Sequence, residues 1–224
     1  MRLVLEKKRG IYVRLKDLEI ALQSIERDTE FDVGLEQYPT PPNIAASILF
    51  AAHIENSDIQ NKVVCDLGCG DGIFALGAAL LGAKRVIGVD VQSKALKVSR
   101  KNALMLGTGG TTDWVLADVT SFGIIDTVDT VVSNPPFGTK RRGADLRFLS
   151  KAISIAKVIY SLHLAGEKNR IFLEGAIEAL GGVVTQIETF EFPIGKIYEF
   201  HKKEQHLIGV DLYRIVVGER ETNG

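Results

Sequence analysis

From residue 63 onward the chain alternates short apolar runs with helix-length segments, and the runs end on residues that can do chemistry. Val63-Val64-Cys65-Asp66-Leu67 ends at Gly68, Val86-Ile87-Gly88-Val89 at Asp90, the run from Asp113 to Ala117 at Asp118, and Val128 to Val132 at Ser133-Asn134. Short apolar runs bounded in this way read as strands buried on both faces. A fifth reads over Val158 to Leu162. Gly72 to Leu81, Ser93 to Leu106 with Ser93 as N-cap, Asp145 to Ala156, and Glu167 to Leu180 before Gly181-Gly182 have helical length and pattern. Five such β-α units predict an α/β fold with a doubly wound, mostly parallel sheet. Right-handed crossovers then put the active face at the carboxyl ends of the strands. Val183 to Phe192 and Leu207 to Val217 alternate apolar with polar residues, and the stretch from Pro193 to His206 between them shows no helical crossover. One of these two strands must run antiparallel.

Upstream, Arg2, Lys7, Lys8, Arg9, Arg14 and Lys16 stand against a single acid, Glu6. Leu15, Leu18, Leu22 and Ile25 follow at helical spacing, and residues 1–30 read as a basic, helical extension to a domain spanning 31–224. A break containing Pro39, Pro41 and Pro42 precedes a mostly buried helix from Ile44 to His53. With 27 Lys+Arg against 28 Asp+Glu the chain has no uniformly basic coat, although local basic patches remain possible. Two cysteines exclude a disulfide scaffold, and no CxxC pair is present to bind zinc. Cys65 and Cys69 read as buried spacers beside the glycine turn, and the four histidines show no metal-ligand spacing, so no metal is expected. The absence of a long apolar run or a signal-like start predicts a cytoplasmic protein without a membrane span.

The turn Asp66-Leu67-Gly68-Cys69-Gly70-Asp71-Gly72 joins a strand to a helix through closely spaced glycines, which let a ligand approach the backbone. Its spacing is GxGxG and not the GxGxxG of dinucleotide sites, which weakens a dehydrogenase reading. Asp90, at the end of the next strand, can accept hydrogen bonds from both ribose hydroxyls of an adenosine. Asn134-Pro135-Pro136-Phe137 is the sharper clue. Two prolines stiffen the loop, a carboxamide precedes them and a planar aromatic follows. The Asn134 side-chain oxygen and the Pro135 carbonyl can each accept one hydrogen of a planar amino group, with Phe137 stacking on the attached ring. That arrangement localises the nitrogen lone pair toward an electrophile. No strong base is needed, because the proton becomes acidic once the nitrogen is alkylated.

In these residues, with Ala117-Asp118-Val119, the chain resembles class I S-adenosylmethionine-dependent methyltransferases acting on planar amino nitrogens. Glu36-Gln37-Tyr38-Pro39-Thr40, Asn134 to Lys140, Tyr160-Ser161-Leu162-His163 and Phe200-His201-Lys202-Lys203 narrow this resemblance. They are similar to the methyltransferase-like protein five family and its archaeal members, over roughly residues 15 to 217. The resemblance implies a seven-stranded Rossmann-like sheet with an antiparallel C-terminal strand and helices on both faces. It implies N6-methylation of one adenosine in small-subunit ribosomal RNA. By position, Gln37, Tyr38 and Thr40 would close over S-adenosylmethionine, and Asp66, Gly68 and Gly70 would cradle its amino-acid part. Asp90 and Val91 would hold the ribose, Asp118 and Val119 the adenine, and Asn134 would face both cofactor and base. The family's small zinc-containing activator, which adds a strand to the sheet edge, makes a heterodimer an expectation here. Where the family has a lysine after Ser-Leu-His this chain has Leu164, so no RNA contact is assigned there.

Lys140-Arg141-Arg142 directly follow the NPPF loop, and His201-Lys202-Lys203 lie between the last two strands. Both clusters are expected to contact RNA phosphates, which position a substrate while base contacts select it. The target adenine must leave any stack to reach the loop, so a single-stranded or flipped base is expected. The nearest rival is protein glutamine-N5 methylation, because a carboxamide presents the same two-hydrogen planar nitrogen. A cofactor-binding ribosome-assembly factor without turnover is the alternative from another class.

Overall fold

The computed structural model describes residues 13–27, 39–124, 126–137, 143–194 and 206–218. Within them are six helices: α1 (Leu15–Gln23), α2 (Pro42–Ile54), α3 (Ile73–Leu80), α4 (Ser93–Met105), α5 (Ala144–Ile155) and α6 (Glu167–Ala179). The strands are β1 (Val63–Leu67), β2 (Arg85–Asp90), β3 (Thr112–Leu116), β4 (Val128–Ser133), β5 (Ala156–Leu164), β6 (Gly182–Ile194) and β7 (His206–Val217). They form one sheet in the order β3-β2-β1-β4-β5-β7-β6. The five strands β3, β2, β1, β4 and β5 pair in parallel. β7 pairs antiparallel with both β5 and β6, which is the closing hairpin expected from a connection without a crossover helix.

The pleat explains why the central strands are apolar throughout. Successive side chains point to opposite faces, and helices cover both. Val64, Val132, Tyr160 and Leu212 join one core with residues of α1, α2, α3 and α4. Their neighbours Cys65, Val131, Ile159 and Tyr213 join a second core with Leu149 and Ile153 of α5 and Leu173 and Ile177 of α6. Cys65 and Cys69 are buried free thiols, as their reading as spacers requires. Leu18 and Leu22 of α1 are fully buried in the first core. Each such leucine contributes on the order of 2 kcal/mol by leaving water, which fastens α1 to the body.

One β-α unit departs from the expected rhythm. No helix lies among the described residues between β3 and β4, and this crossover is made by Asp118 to Phe122 and the loop beyond. Val119 and Phe122 are buried there in the second core, so two side chains do the covering that a helix does elsewhere.

Candidate active site

The register of the sheet brings the strand ends to one edge. Leu67 lies beside both Val89 and Ser133, Asp90 beside Leu116, and Ser133 beside Ser161. Gly68, Val91, Ala117 and Asn134 therefore leave the sheet together. The Ser133 hydroxyl donates to the Leu67 carbonyl at 2.8 Å and locks the start of the NPPF loop against the glycine turn.

The turn is held from behind. The Gly68 and Cys69 amides both donate to the Val89 carbonyl. The Ser99 hydroxyl of α4 donates to the Gly70 carbonyl at 2.6 Å, and Asn102 Nδ2 to the Asp71 carbonyl at 3.1 Å. Gly68 has φ +74°, and a Cβ there would stand 2.9 Å from Phe148 Cε1 of α5. Gly70 has φ +52°, and nothing lies within 4 Å of where its Cβ would be. The first glycine thus admits a neighbouring ring, while the second leaves open space beside the backbone for a ligand.

The two acids at this edge differ. Asp66 is fully buried, and its carboxylate accepts the Ala75 amide in the first turn of α3 at 3.0 Å. Burial pushes its pKa up to about 8 against the pull of that amide, and the nearby Asp90 and Asp71 charges push the same way. Asp90 sits at the mouth. Its Oδ2 accepts the Gly70 amide at 2.9 Å and its Oδ1 the Gln92 amide at 2.8 Å. Burial raises the Asp90 pKa, opposed by those amides. The Val91 amide also bonds to this carboxylate; an ionised carboxylate offers about four lone-pair sites, so room remains for a hydroxyl donor such as that of a ribose. Val91 next to it is 58% exposed. Asp118 is exposed, and its Oδ1 closes a turn by accepting both the amide and the hydroxyl of Thr120, which lowers its pKa. Val119 beside it is buried.

On the other side of the edge, Asn134 Nδ2 donates to Thr40 Oγ1 at 3.1 Å. Thr40 is buried, and its carbonyl accepts Arg27 Nη2 at 2.8 Å. Pro135 is buried and Pro136 half-buried, as a stiff loop leaving a strand should be. Phe137 is only 8% exposed and packs into the first core, so it offers a base little surface in this arrangement. Gln37, Tyr38, Lys140, Arg141, Arg142, His201, Lys202 and Lys203 fall outside the described residues.

Several participants carry no local sequence signal. Arg27, Ser99, Asn102 and Phe148 reach the edge from elements that read as ordinary helix or linker. Trp114, on β3, packs against the first core. A groove of about 390 Å³ runs along α5, lined by Thr120, Leu146, Arg147, Ser150, Lys151 and Ser154, beside the helix-less crossover.

Comparison with known proteins follows the same lines. The family model for ribosomal protein L11 methyltransferase (PrmA) matches residues 48–134. The rRNA N(6)-adenosine-methyltransferase METTL5 of Danio rerio is 39% identical over 206 residues, which cover 90% of this chain and 98% of the relative. The chain belongs to the METTL5 family. The Drosophila melanogaster METTL5 protein is 36% identical, with 92% of this chain and 98% of the relative covered. A crystal structure of a proposed RNA methyltransferase from Pyrococcus horikoshii superposes with a TM-score of 0.84 at 40% identity, covering 93% of this chain and all of that one. A METTL5-family chain is a class I methyltransferase, and its cofactor is S-adenosylmethionine. The space beside Gly70, whose amide donates to the Asp90 carboxylate, is open to a ligand.

Proposed function

We propose that the protein methylates N6 of an adenosine in small-subunit ribosomal RNA, with Asn134 as the residue that orients the target amine. The observation that carries this reading is the orientation of the Asn134 carboxamide. Its nitrogen is directed to Thr40, so its oxygen is turned the other way and serves as the acceptor. One N6 hydrogen goes to that oxygen and the other to the Pro135 carbonyl at the head of the rigid loop. Both bonds draw the amino hydrogens into one plane and leave the nitrogen lone pair directed out of it. S-adenosylmethionine, when bound, supplies an electrophilic sulfonium methyl group. Transfer of that methyl would break its bond to sulfur and leave the thioether S-adenosylhomocysteine, and the surplus proton on the amine would pass to solvent, so no basic side chain is required at the loop. Phe137, packed in the first core, contributes only the small face it leaves open.

The cofactor reading is distributed over Gly68 and Gly70 with Asp66 behind them, Asp90 and Val91 at the ribose, Asp118 and Val119 at the adenine, and Gln37, Tyr38 and Thr40 as the cover. The RNA reading rests on Lys140, Arg141, Arg142, His201, Lys202 and Lys203. It is supported by Arg147, which is exposed in the groove along α5, five positions after Arg142 in the sequence. Phosphates lying in this groove would lead a strand toward the NPPF loop.

No helix among the described residues is long and apolar enough to cross a membrane. The reading places the enzyme in the cytoplasm, where ribosomal RNA is its substrate. A small zinc-ribbon protein is its proposed activator. The support is an apolar margin at the β3 edge of the sheet, where Leu104 is 73%, Met105 54% and Leu116 60% exposed. An unpaired strand edge with such a margin suits strand addition by a partner.

The test is tritiated methyl transfer offered to small-subunit ribosomal RNA and, separately, to release-factor protein. Label in RNA, recovered as N6-methyladenosine, supports the reading, and label confined to protein favours glutamine methylation instead.

A further inference from the structure

Resting on the reading of Asn134 given above, we infer that Arg27 is a positioning residue that ties the glycine turn to the base-orienting loop through Thr40. Arg27 follows α1 in a linker, yet its guanidinium reaches across two separate parts of the site. Nε stands 3.0 Å from Asp71 Oδ2 in the glycine turn, and Nη2 donates to the Thr40 carbonyl at 2.8 Å. Thr40 in turn receives the Asn134 amide on its hydroxyl. The planar fork of an arginine spans two acceptors at fixed spacing, which an ammonium cannot do as rigidly.

The linker that carries Arg27 is itself fastened. Asn102 of α4 accepts the Glu26 amide at 2.8 Å and donates to the Glu26 carbonyl at 2.9 Å, pairing with that residue as a neighbouring strand would. Its Nδ2 also donates to the Asp71 carbonyl, so the linker and the glycine turn share one anchor. Lys101 closes an ion pair with the Glu26 side chain. The result is a chain of contacts from α4 through Glu26 and Arg27 to Thr40 and Asn134. A rotation of Asn134 that exchanged its oxygen and nitrogen would present a donor to a donor at the target amine. Holding Thr40 in place fixes where the carboxamide sits, and with it the acceptor that the reaction needs.

Replacing Arg27 alone would take the cation away from the largely buried Asp71 carboxylate and destabilise the fold for that reason. The variant to use is Arg27→Met combined with Asp71→Asn, which removes both charges and leaves the Thr40 carbonyl without its donor. In the full-length protein this pair should lower kcat for RNA methylation about tenfold, a larger change than any rise in KM for S-adenosylmethionine, with the thermal midpoint nearly unchanged. Thr40→Val removes the hydroxyl at the next link. Because both changes act through the placement of one residue, Thr40, their losses should not multiply in the combined variant. A wild-type kcat in the Arg27→Met/Asp71→Asn protein, or losses that multiply independently, would overturn the role given to Arg27 while leaving the reading of Asn134 intact. Full activity in Asn134→Ala would remove both.

Discussion

Asn134 and Thr40 lie 94 positions apart, and the amide nitrogen of the first donates to the hydroxyl of the second at 3.1 Å. In this arrangement the carboxamide turns its nitrogen to Thr40 and its oxygen away from it. Asn134→Ala removes the acceptor and should reduce methylation by on the order of 10³-fold, the scale of losing a preorganised group that acts on the reacting centre. Cofactor binding should stay within a few fold. Asn134→Asp is the informative partner. Its carboxylate still accepts from an amine, and the Thr40 hydroxyl can donate to it, so kcat should exceed that of the alanine variant. Steady-state rates with titration calorimetry of S-adenosylhomocysteine check both statements.

Asp90 has two tasks, and they can be separated. It accepts the Gly70 and Gln92 amides, and it is the proposed ribose acceptor. Asp90→Ala should weaken S-adenosylhomocysteine binding by about 100-fold, equivalent to a charge-assisted hydrogen bond, and also lower the thermal midpoint. Asp90→Asn keeps the shape and one acceptor oxygen, so it should recover more of the stability than of the affinity.

Gly68 and Gly70 of the turn should respond differently to alanine. Gly68→Ala meets Phe148 at 2.9 Å on top of an unfavourable φ, so it should lower stability by about 2 kcal/mol or more. Gly70→Ala meets no protein atom and should cost only about 1 kcal/mol of backbone strain. Its methyl group would occupy the ligand's space, so cofactor affinity should suffer most there. Urea midpoints set beside cofactor titrations distinguish the two patterns.

Asp66 gives the fold a pH dependence of defined sign. Its proton is held up to about pH 8 in the folded chain, against roughly 3.9 in an unfolded one. The unfolded form thus releases this proton first as pH rises, and the stability that the buried neutral carboxyl provides is complete below about pH 4. It declines steadily from there toward pH 8. Asp66→Asn keeps an acceptor for the Ala75 amide and removes the titration. The loss of stability between pH 5 and pH 8, read from urea midpoints, should be smaller in the variant, and an equal loss in both would contradict the assignment.

The strands and most helices were legible because their signals are local. Apolar runs that end at Gly68, Asp90 and Asn134 mark the strands and the edge at which a ligand would sit. The antiparallel hairpin was legible from a connection with no helical pattern. The sequence marks no helix between β3 and β4, but the burial of Val119 and Phe122 that takes its place was not legible, because it is a tertiary solution with no period to read. Arg27, Asn102 and Phe148 were missed for the same reason. Asn102 looks like one polar residue of an amphipathic helix, and only the fold brings it to Glu26, 76 positions away. Thr40 was recognisable as part of the site, but its bond to Asn134 was not.

The most direct measurement is nucleoside mass spectrometry of small-subunit ribosomal RNA, taken from a strain lacking this protein and incubated with S-adenosylmethionine and either wild-type or Asn134→Ala enzyme. The account predicts N6-methyladenosine at one site with the wild-type protein and essentially none with the variant. Equal methylation by both proteins, or a methylated nucleoside other than N6-methyladenosine, would contradict it.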